Sequence, residues 1–147
     1  MATSRRRVPH PLRLRAWAAQ GFQAANTAVR DRTVHVVLRV VAAPESRRLN
    51  RTWRGKDKPT NVLSFPAGPV VADGVRELGD IVICKDVVTA EARAQGKALE
   101  AHWAHMVVHG MLHLLGYDHI RARDAAVMER SEARILAHFD YPDPYVA

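Results

Sequence analysis

Three histidines in the last third of the chain have the residue type and the spacing of a metal site. His109 and His113 are four residues apart, so on a helix their imidazoles lie side by side on one face. Gly116 can adopt a left-handed conformation that turns the chain back, which lets His119 approach the same point from a loop. Three neutral imidazoles with a fourth position open to water are typical of a catalytic zinc site rather than a closed structural one.

The spacing matches the long zincin pattern HExxHxxGxxH with one departure. Gly110 stands where a zinc peptidase carries the glutamate that acts as its general base. Without that carboxylate a peptidase has no proton acceptor, so peptidase activity is only a minor alternative. Asp118 adjoins the third histidine, where it can orient an imidazole, accept a proton from water, or cap a local turn.

Two further histidines precede the motif on the same predicted helix. His102 is seven residues before His109, a rise of ~10.5 Å that is too long for the two to share one ion. His105 lies one turn from His109 and is a candidate for a supporting contact behind the ligands or for a substrate contact. Packing inside the protein is the simpler interpretation of both. Cys84, the only cysteine, falls in an apolar strand and is expected to be an inert core residue.

Basic residues are concentrated in two segments. Residues 1–30 contain six arginines and no acid, and residues 47–58 contain six basic residues against Asp57 alone. From Pro59 onward, eight basic and twelve acidic residues give a net charge of −4. Clustered Lys and Arg attract phosphates, so the second segment, in which Trp53 interleaves the charge, favours a polyanionic partner. For the N-terminal arginines a solvated surface is the simpler interpretation.

The composition fits one soluble domain over residues 1–147. The chain is 48% hydrophobic, enough for a single core, and its net charge is +7. A lone cysteine excludes an internal disulfide and a thiolate zinc cluster, and it indicates a reducing compartment. Prolines and arginines interrupt the apolar stretch that an export signal needs, and no segment suits a bilayer. A cytoplasmic protein that does not enter a membrane is therefore expected.

Hydrophobic periodicity and helix-boundary residues predict an α+β fold, with a small mixed sheet packed against helices. The predicted strands are Thr33–Val41 (buried), Asn61–Phe65 and Leu78–Cys84. The predicted helices are Leu12–Val29 after Pro11, Pro44 to Asn50, Asp86 as N-cap to Gln95, Leu99–Leu115, and Ala122–His138.

Three segments carry a pattern that is far more specific than the histidines alone. They are Leu49–Pro66 (LNRTWRGKDKPTNVLSFP), Leu78–Cys84 (LGDIVIC) and His102–His119 (HWAHMVVHGMLHLLGYDH). Together they closely resemble the YbeY family, the bacterial metal-dependent endoribonucleases linked to ribosomal RNA maturation. The resemblance implies an α+β metalloprotein with one zinc ion held by His109, His113 and His119, and a functionally important arginine at Arg54. The first 43 residues match this family only loosely.

The residues and the resemblance together predict a zinc-dependent endoribonuclease, a hydrolase that cleaves single-stranded RNA. The resemblance implies rRNA precursors as substrates, 3′ end maturation of small-subunit rRNA, ribosome quality control, and the small subunit or its proteins as partners. Zinc, with His109 among its ligands, would activate water, while Arg54 would grip the phosphodiester. Lys56 and Lys58 would contact the RNA backbone. The proton acceptor is open, because Gly110 cannot serve.

Two alternatives stay open at this point. The first is a ribosome-assembly or RNA-binding factor whose zinc mainly braces the C-terminal helices, which the missing glutamate supports. The second and weaker one is a hydrolase of another phosphoester or of an amide, because the zincin spacing does not specify a substrate.

Overall fold

A computed structural model describes residues 8–25, 33–67, 71–72, 74–117 and 121–146. In chain order the elements within these ranges are α1 (Pro11–Ala24), β1 (Thr33–Val41), α2 (Ala43–Arg54), β2 (Val62–Pro66), β3 (Val71–Ala72), β4 (Val75–Cys84), α3 (Lys85–Ala94), α4 (Leu99–Leu114) and α5 (Ala122–Ala137). The predicted α+β class, with a small mixed sheet and helices packed on it, is confirmed.

The sheet is mixed, and β4 is its central strand. It pairs in parallel with β1 and antiparallel with β2, and the two-residue β3 pairs with its first residues. Residues 81–84 of β4 are all buried, as expected for a strand covered on both faces. This strand therefore holds β2 next to the core, where β2 contributes to one wall of the site.

β1 has the predicted bounds, but the prediction that it is buried is wrong. Its side chains alternate between exposed and half-buried as far as Val41. Among the described strands β1 pairs only with β4, so it lies at an edge of the sheet. One face of the strand packs against the core through Val34, Val36, Leu38 and Val40. The other face is turned away from the core, which explains the alternation.

Helix α4, which carries the histidines, runs through the centre of the core. Eleven of its sixteen residues are buried, and it contacts α1, α3, α5, β2 and β4. A helix that is apolar on nearly all sides is typically enclosed by other elements.

On the opposite face of the sheet, Leu49 of α2 packs against a small cluster of Val41, Leu63 and Val82. None of the described helices is long and apolar enough to cross a bilayer.

Two helix boundaries differ from the predictions in ways that matter for the site. α2 continues a turn past Asn50 to Arg54 and ends because Gly55 takes a left-handed conformation, with φ 71°. α1 is described only to Ala24 rather than to the predicted Val29, and part of the difference lies outside the described residues.

Asp86 is not the N-cap of α3, and that prediction is wrong. The helix begins one residue earlier, at Lys85, and its N-cap residue is Cys84. The Asp86 carboxylate instead accepts a hydrogen bond from the backbone N–H of Ala43 at 2.8 Å. Asp86, a residue of α3, therefore caps the N-terminus of the neighbouring helix α2, which packs beside α3.

Candidate metal centre

Helix α4 ends at a left-handed glycine, as the sequence predicts. Gly116 has φ 98°, its N–H donates to the carbonyl of His113 at 3.1 Å, and the N–H of Tyr117 donates to the carbonyl of Leu112 at 2.9 Å. This is a Schellman motif, which turns the chain back immediately after His113. Two predicted site residues, Asp118 and His119, follow this turn and lie outside the described residues.

His109 and His113 lie side by side on α4, as their spacing predicts. Their ring centroids are 4.7 Å apart and the rings are nearly perpendicular, at 78°. Both residues are half-buried, in contrast to the fully buried part of the helix that precedes them. Two imidazoles are thus presented together at the point where the helix leaves the core.

A cleft of about 580 Å³ joins these two histidines to the basic segment. α4 contributes His109 and His113, α2 contributes Arg54, and β2 forms much of the remaining wall. Trp53 also lines the cleft; its side chain is 67% exposed, and its ring meets that of Phe65 edge-on at 6.0 Å. The structure therefore brings Arg54 to the same cleft as the two described ligand candidates.

The loop that follows α2 is fastened to that helix by two buried polar side chains. Ser46 Oγ accepts from the N–H of Thr60 and donates to its carbonyl, both at 3.0 Å. Asn50 Nδ2 donates to the carbonyl of Lys58 at 2.8 Å. Lys56 and Lys58 are exposed on this loop, but neither is among the residues that line the cleft. These anchors hold the loop beside Arg54.

A buried carboxylate, which the sequence patterns do not predict, lies behind His109. Glu132 of α5 is 1% exposed, and its Oε2 is 2.6 Å from His105 Nε2 and 3.2 Å from His109 Nδ1. The Tyr145 hydroxyl donates to the other oxygen, Oε1, at 2.9 Å. The ligand atoms of His105, His109 and Glu132 lie within 4.8 Å of one another, so these three residues are close enough to hold a metal ion.

The electrostatics of this cluster keep Glu132 ionised and Tyr145 protonated. Burial raises the pKa of the Glu132 carboxyl, but the hydrogen bonds and the charges of His105 and His109 together lower it by more, and the net pKa is about 2. Burial, together with the charge and the hydrogen bond of Glu132, raises the pKa of the Tyr145 phenol. At neutral pH the carboxylate is therefore an acceptor only, and its partners supply the protons.

One signal in the sequence does point to Glu132. The buried side of α5 includes Met128, Ile135 and Leu136, which are spaced four and three residues from position 132. An acidic residue on the apolar side of an amphipathic helix is costly to bury unless it has partners. Its partners, however, are on α4 and near the C-terminus, so their identity depends on the tertiary fold.

His102 and Cys84 have the packing roles that were expected of them. His102 is 3% exposed, and its Nε2 lies 2.9 Å from Oε1 of Glu91 on α3, which ties α3 to α4. Burial lowers the pKa of His102, and its hydrogen bond to Glu91 offsets this only in part. Cys84 is a buried free cysteine. Neither residue lines the cleft.

Comparison with known proteins identifies the family of this chain. The solution structure of TM1509 from Thermotoga maritima is similar in fold, with a TM-score of 0.56 and 24% sequence identity, over 95% of this chain and 96% of that one. The family described as endoribonuclease YbeY matches residues 2–140, a range that includes residues 2–43 as well as the three motif segments. The chain therefore belongs to the YbeY family of endoribonucleases, which implies an RNA substrate and a role in ribosomal RNA processing.

Proposed function

We propose that this protein is a zinc-dependent endoribonuclease that cleaves single-stranded RNA in the cleft between α2, β2 and α4. The observation that carries the proposal is the presence of Arg54 in one cleft with His109 and His113. The family resemblance extends the proposal to 3′ end maturation of small-subunit rRNA and ribosome quality control in the cytoplasm, in contact with the small subunit or its proteins.

In this proposal one zinc ion is held by His109, His113 and His119. Imidazole nitrogens are favourable zinc donors, and two of them already lie together at the cleft. His109 also belongs to the buried set with His105 and Glu132, but those two residues are only 7% and 1% exposed. A hydrolytic metal must reach water and substrate, so the set that lines the cleft fits better.

The chemistry divides between the metal and the chain. When bound, zinc supplies Lewis-acid activation of water and of a phosphoryl oxygen. The guanidinium of Arg54 can hold two phosphate oxygens, which positions the phosphodiester and stabilises the charge that develops on it. Lys56 and Lys58, exposed on the adjoining loop, contact neighbouring phosphates. A single strand can bend into such a cleft more readily than a duplex.

The proton acceptor in this proposal is Asp118. Gly110 cannot serve, and none of the described residues that line the cleft is a carboxylate. Asp118 is the candidate for this role because it adjoins the proposed ligand His119 in the sequence.

The decisive experiment pairs zinc content with cleavage of a single-stranded RNA by the purified protein. We expect about one zinc per chain in the wild type, and we expect His113→Ala to lose both zinc and cleavage. His138→Ala is the matched control, because His138 is an exposed histidine that does not line the cleft. Full-strength cleavage by His113→Ala, in a chelated and contamination-controlled preparation, would contradict the proposal.

A second candidate is an RNA-binding assembly factor with a mainly structural zinc. The observation that favours it is the absence of a carboxylate among the described residues of the cleft. It predicts that chelation greatly lowers the thermal stability, that RNA affinity is kept, and that no preparation cleaves RNA. A chelated protein that stays folded and regains cleavage when zinc is returned would exclude it.

A further inference from the structure

Glu132 is the most deeply buried acidic side chain described near the cleft, and the proposed reaction does not use it directly. It does not line the cleft, and it is 1% exposed. Its two oxygens contact three side chains, His105 and His109 on α4 and Tyr145 in the C-terminal segment. A charge buried at this depth is kept only where its contacts compensate for the lost hydration.

We propose that Glu132 is a positioning residue for His109, and that His105 and Tyr145 hold Glu132 in place for this task. This inference rests on the proposed function, because it takes His109 as a ligand of the zinc. An ionised carboxylate can only accept, so the proton of the 3.2 Å contact belongs to His109 Nδ1. The lone pair of the neutral ring is then on Nε2, and the tautomer needed for metal binding is set in advance.

The short distances argue against Glu132 and His105 as ligands of the same ion. Two ligand atoms on a tetrahedral zinc, each bonded at 2.0–2.1 Å, are about 3.3 Å apart. His105 Nε2 and Glu132 Oε2 are only 2.6 Å apart, which is the separation of a strong, charge-assisted hydrogen bond. In this arrangement the two atoms share a proton, and they would have to move about 0.7 Å apart to bind one zinc ion together.

The other contacts explain why Glu132 can orient a neighbouring ring. His105 is one helical turn before His109, and both rings meet the same oxygen. Tyr145 fixes the second oxygen and lies 3.1 Å from His105 Nε2, so the carboxylate is held at both ends. Its plane is thereby fixed, and His109 is held against rotation about its side-chain bonds.

The test measures zinc affinity of the full chain, stripped with a chelator, by competition with a zinc-binding dye. We expect Glu132→Gln, which removes the charge at nearly the same shape, to bind one zinc with about 10–100-fold lower affinity. His105→Gln is expected to weaken binding less, whereas His113→Ala loses tight binding altogether. His138→Ala again serves as the control and is expected to keep wild-type affinity.

A second readout reports the tautomer without any metal. Long-range ¹⁵N–¹H spectra of the stripped protein are expected to show His109 protonated on Nδ1, with its signal assigned by its loss in His109→Gln. In Glu132→Gln the same ring is expected to become a mixture of tautomers. A merely structural role for Glu132 would not move this equilibrium in a protein that stays folded.

The outcomes separate this inference from the proposed function. Wild-type zinc affinity in Glu132→Gln, with the His109 tautomer unchanged, would overturn the positioning role alone. Loss of zinc in Glu132→Gln and His105→Gln but not in His113→Ala would overturn the proposed ligand set, because those residues would then be the ligands. If Glu132→Gln fails to fold, Tyr145→Phe is the alternative variant, because it removes only the hydroxyl that donates to Glu132 Oε1. A several-fold loss of zinc affinity is expected for Tyr145→Phe. An unchanged zinc affinity would contradict the inference.

Discussion

At the scale of single residues, Gly110 distinguishes this chain from the zinc peptidases, which have the same histidine spacing but carry a glutamate at this position. A Cβ at Gly110 would lie 2.7 Å from Cγ2 of Ile81, and the Gly110 carbonyl accepts a hydrogen bond from Ser64 Oγ at 3.1 Å. The side of α4 that carries this residue therefore packs on the sheet. A glutamate there would point into β4 rather than into the cleft, so the packing of the helix excludes the peptidase base.

Replacing Gly110 tests this packing directly. Gly110→Ala is expected to lower the free energy of unfolding by about 1–3 kcal/mol, because the new methyl group overlaps Ile81 and α4 must move away from the sheet. Gly21→Ala in α1 is the matched control: its Cβ would lie 3.4 Å from that of Met111, in van der Waals contact. Because alanine favours helix, this variant is expected to be neutral or up to about 1 kcal/mol more stable. Denaturant unfolding of both variants measures the difference, and an equal effect would contradict it.

Arg54 is expected to act on the substrate and not on the metal. Arg54→Ala should lower the cleavage rate by about 10²–10³-fold, the range expected when one group that stabilises transition-state charge is removed. Its zinc content should equal that of the wild type. Arg54→Lys should recover little, because an ammonium cannot hold two phosphate oxygens in a fork. Loss of zinc in Arg54→Ala would make the residue structural instead.

At the scale of elements, α2 and β2 bring Arg54 to histidines that are 55 residues or more away along the chain. Gly55 ends α2 just after Arg54, and Ser46 and Asn50 fasten the next loop to the helix. The contacts that hold Arg54 and the following loop are thus between residues close in sequence. Their approach to α4 depends on the tertiary fold, because β2 pairs with β4 and thereby contacts α4.

Features that depend on residues close in sequence could be predicted from the sequence, whereas features that depend on tertiary contacts could not. Boundaries set by glycine or proline were predictable, as at Pro11 and Gly116, because those residues act through their own backbone. The exposure of β1 and the role of Asp86 could not be predicted, because each depends on which other element packs beside that residue or strand. The site divides in the same way: the spacing of His109 and His113 is local, whereas the partners of Glu132 come from other elements.

The contact between α3 and α4 makes the stability depend on pH. Burial lowers the pKa of His102 below its ordinary value of 6.5; Glu91 of α3 offsets this in part, while His105 and Lys97 lower it further. The unfolded chain thus binds a proton more readily than the folded chain. The contribution of His102 to stability is present above pH 6.5 and is lost as the pH falls below that value.

The corresponding variant is His102→Gln, whose amide can still donate to Glu91 but does not titrate. We expect the melting temperature of the wild type to fall more steeply than that of His102→Gln between pH 7 and pH 5. Both proteins are to be melted with chelator present, so that metal binding does not contribute to the slope. Equal slopes, or a wild type that gains stability toward pH 5, would contradict the assignment.

At the scale of the whole molecule, the net charge of +7 is not spread evenly. The segment 47–58 lies along α2 and its following loop, next to the cleft, while the chain from Pro59 onward is net acidic. Arg47 forms a two-pronged ion pair with Asp57, at 2.8 and 3.0 Å, so part of this charge is already neutralised. The exposed basic residues beyond that pair are the ones expected to meet phosphates.

Tryptophan fluorescence can follow RNA binding to this face. The chain has three tryptophans, of which Trp17 and Trp103 are 2% and 0% exposed, whereas Trp53 is 67% exposed in the cleft. A base that stacks on Trp53 is expected to change its emission, and Trp53→Phe identifies the part of the signal that comes from this residue.

The affinity of the protein for single-stranded RNA is expected to depend on the salt concentration. With His113→Ala as the background, so that RNA is bound and not cleaved, the logarithm of the affinity for a single strand should fall linearly with the logarithm of the salt concentration. Each phosphate contact contributes about 0.7 to that slope, so replacing Lys56 and Lys58 by alanine should reduce its magnitude by about 1.4. Arg93→Ala removes an exposed charge from α3 that does not line the cleft, and it should leave the slope nearly unchanged. Equal reductions for both sets of variants would show that binding senses only the total charge of the protein, and the RNA would then have no defined path beside α2.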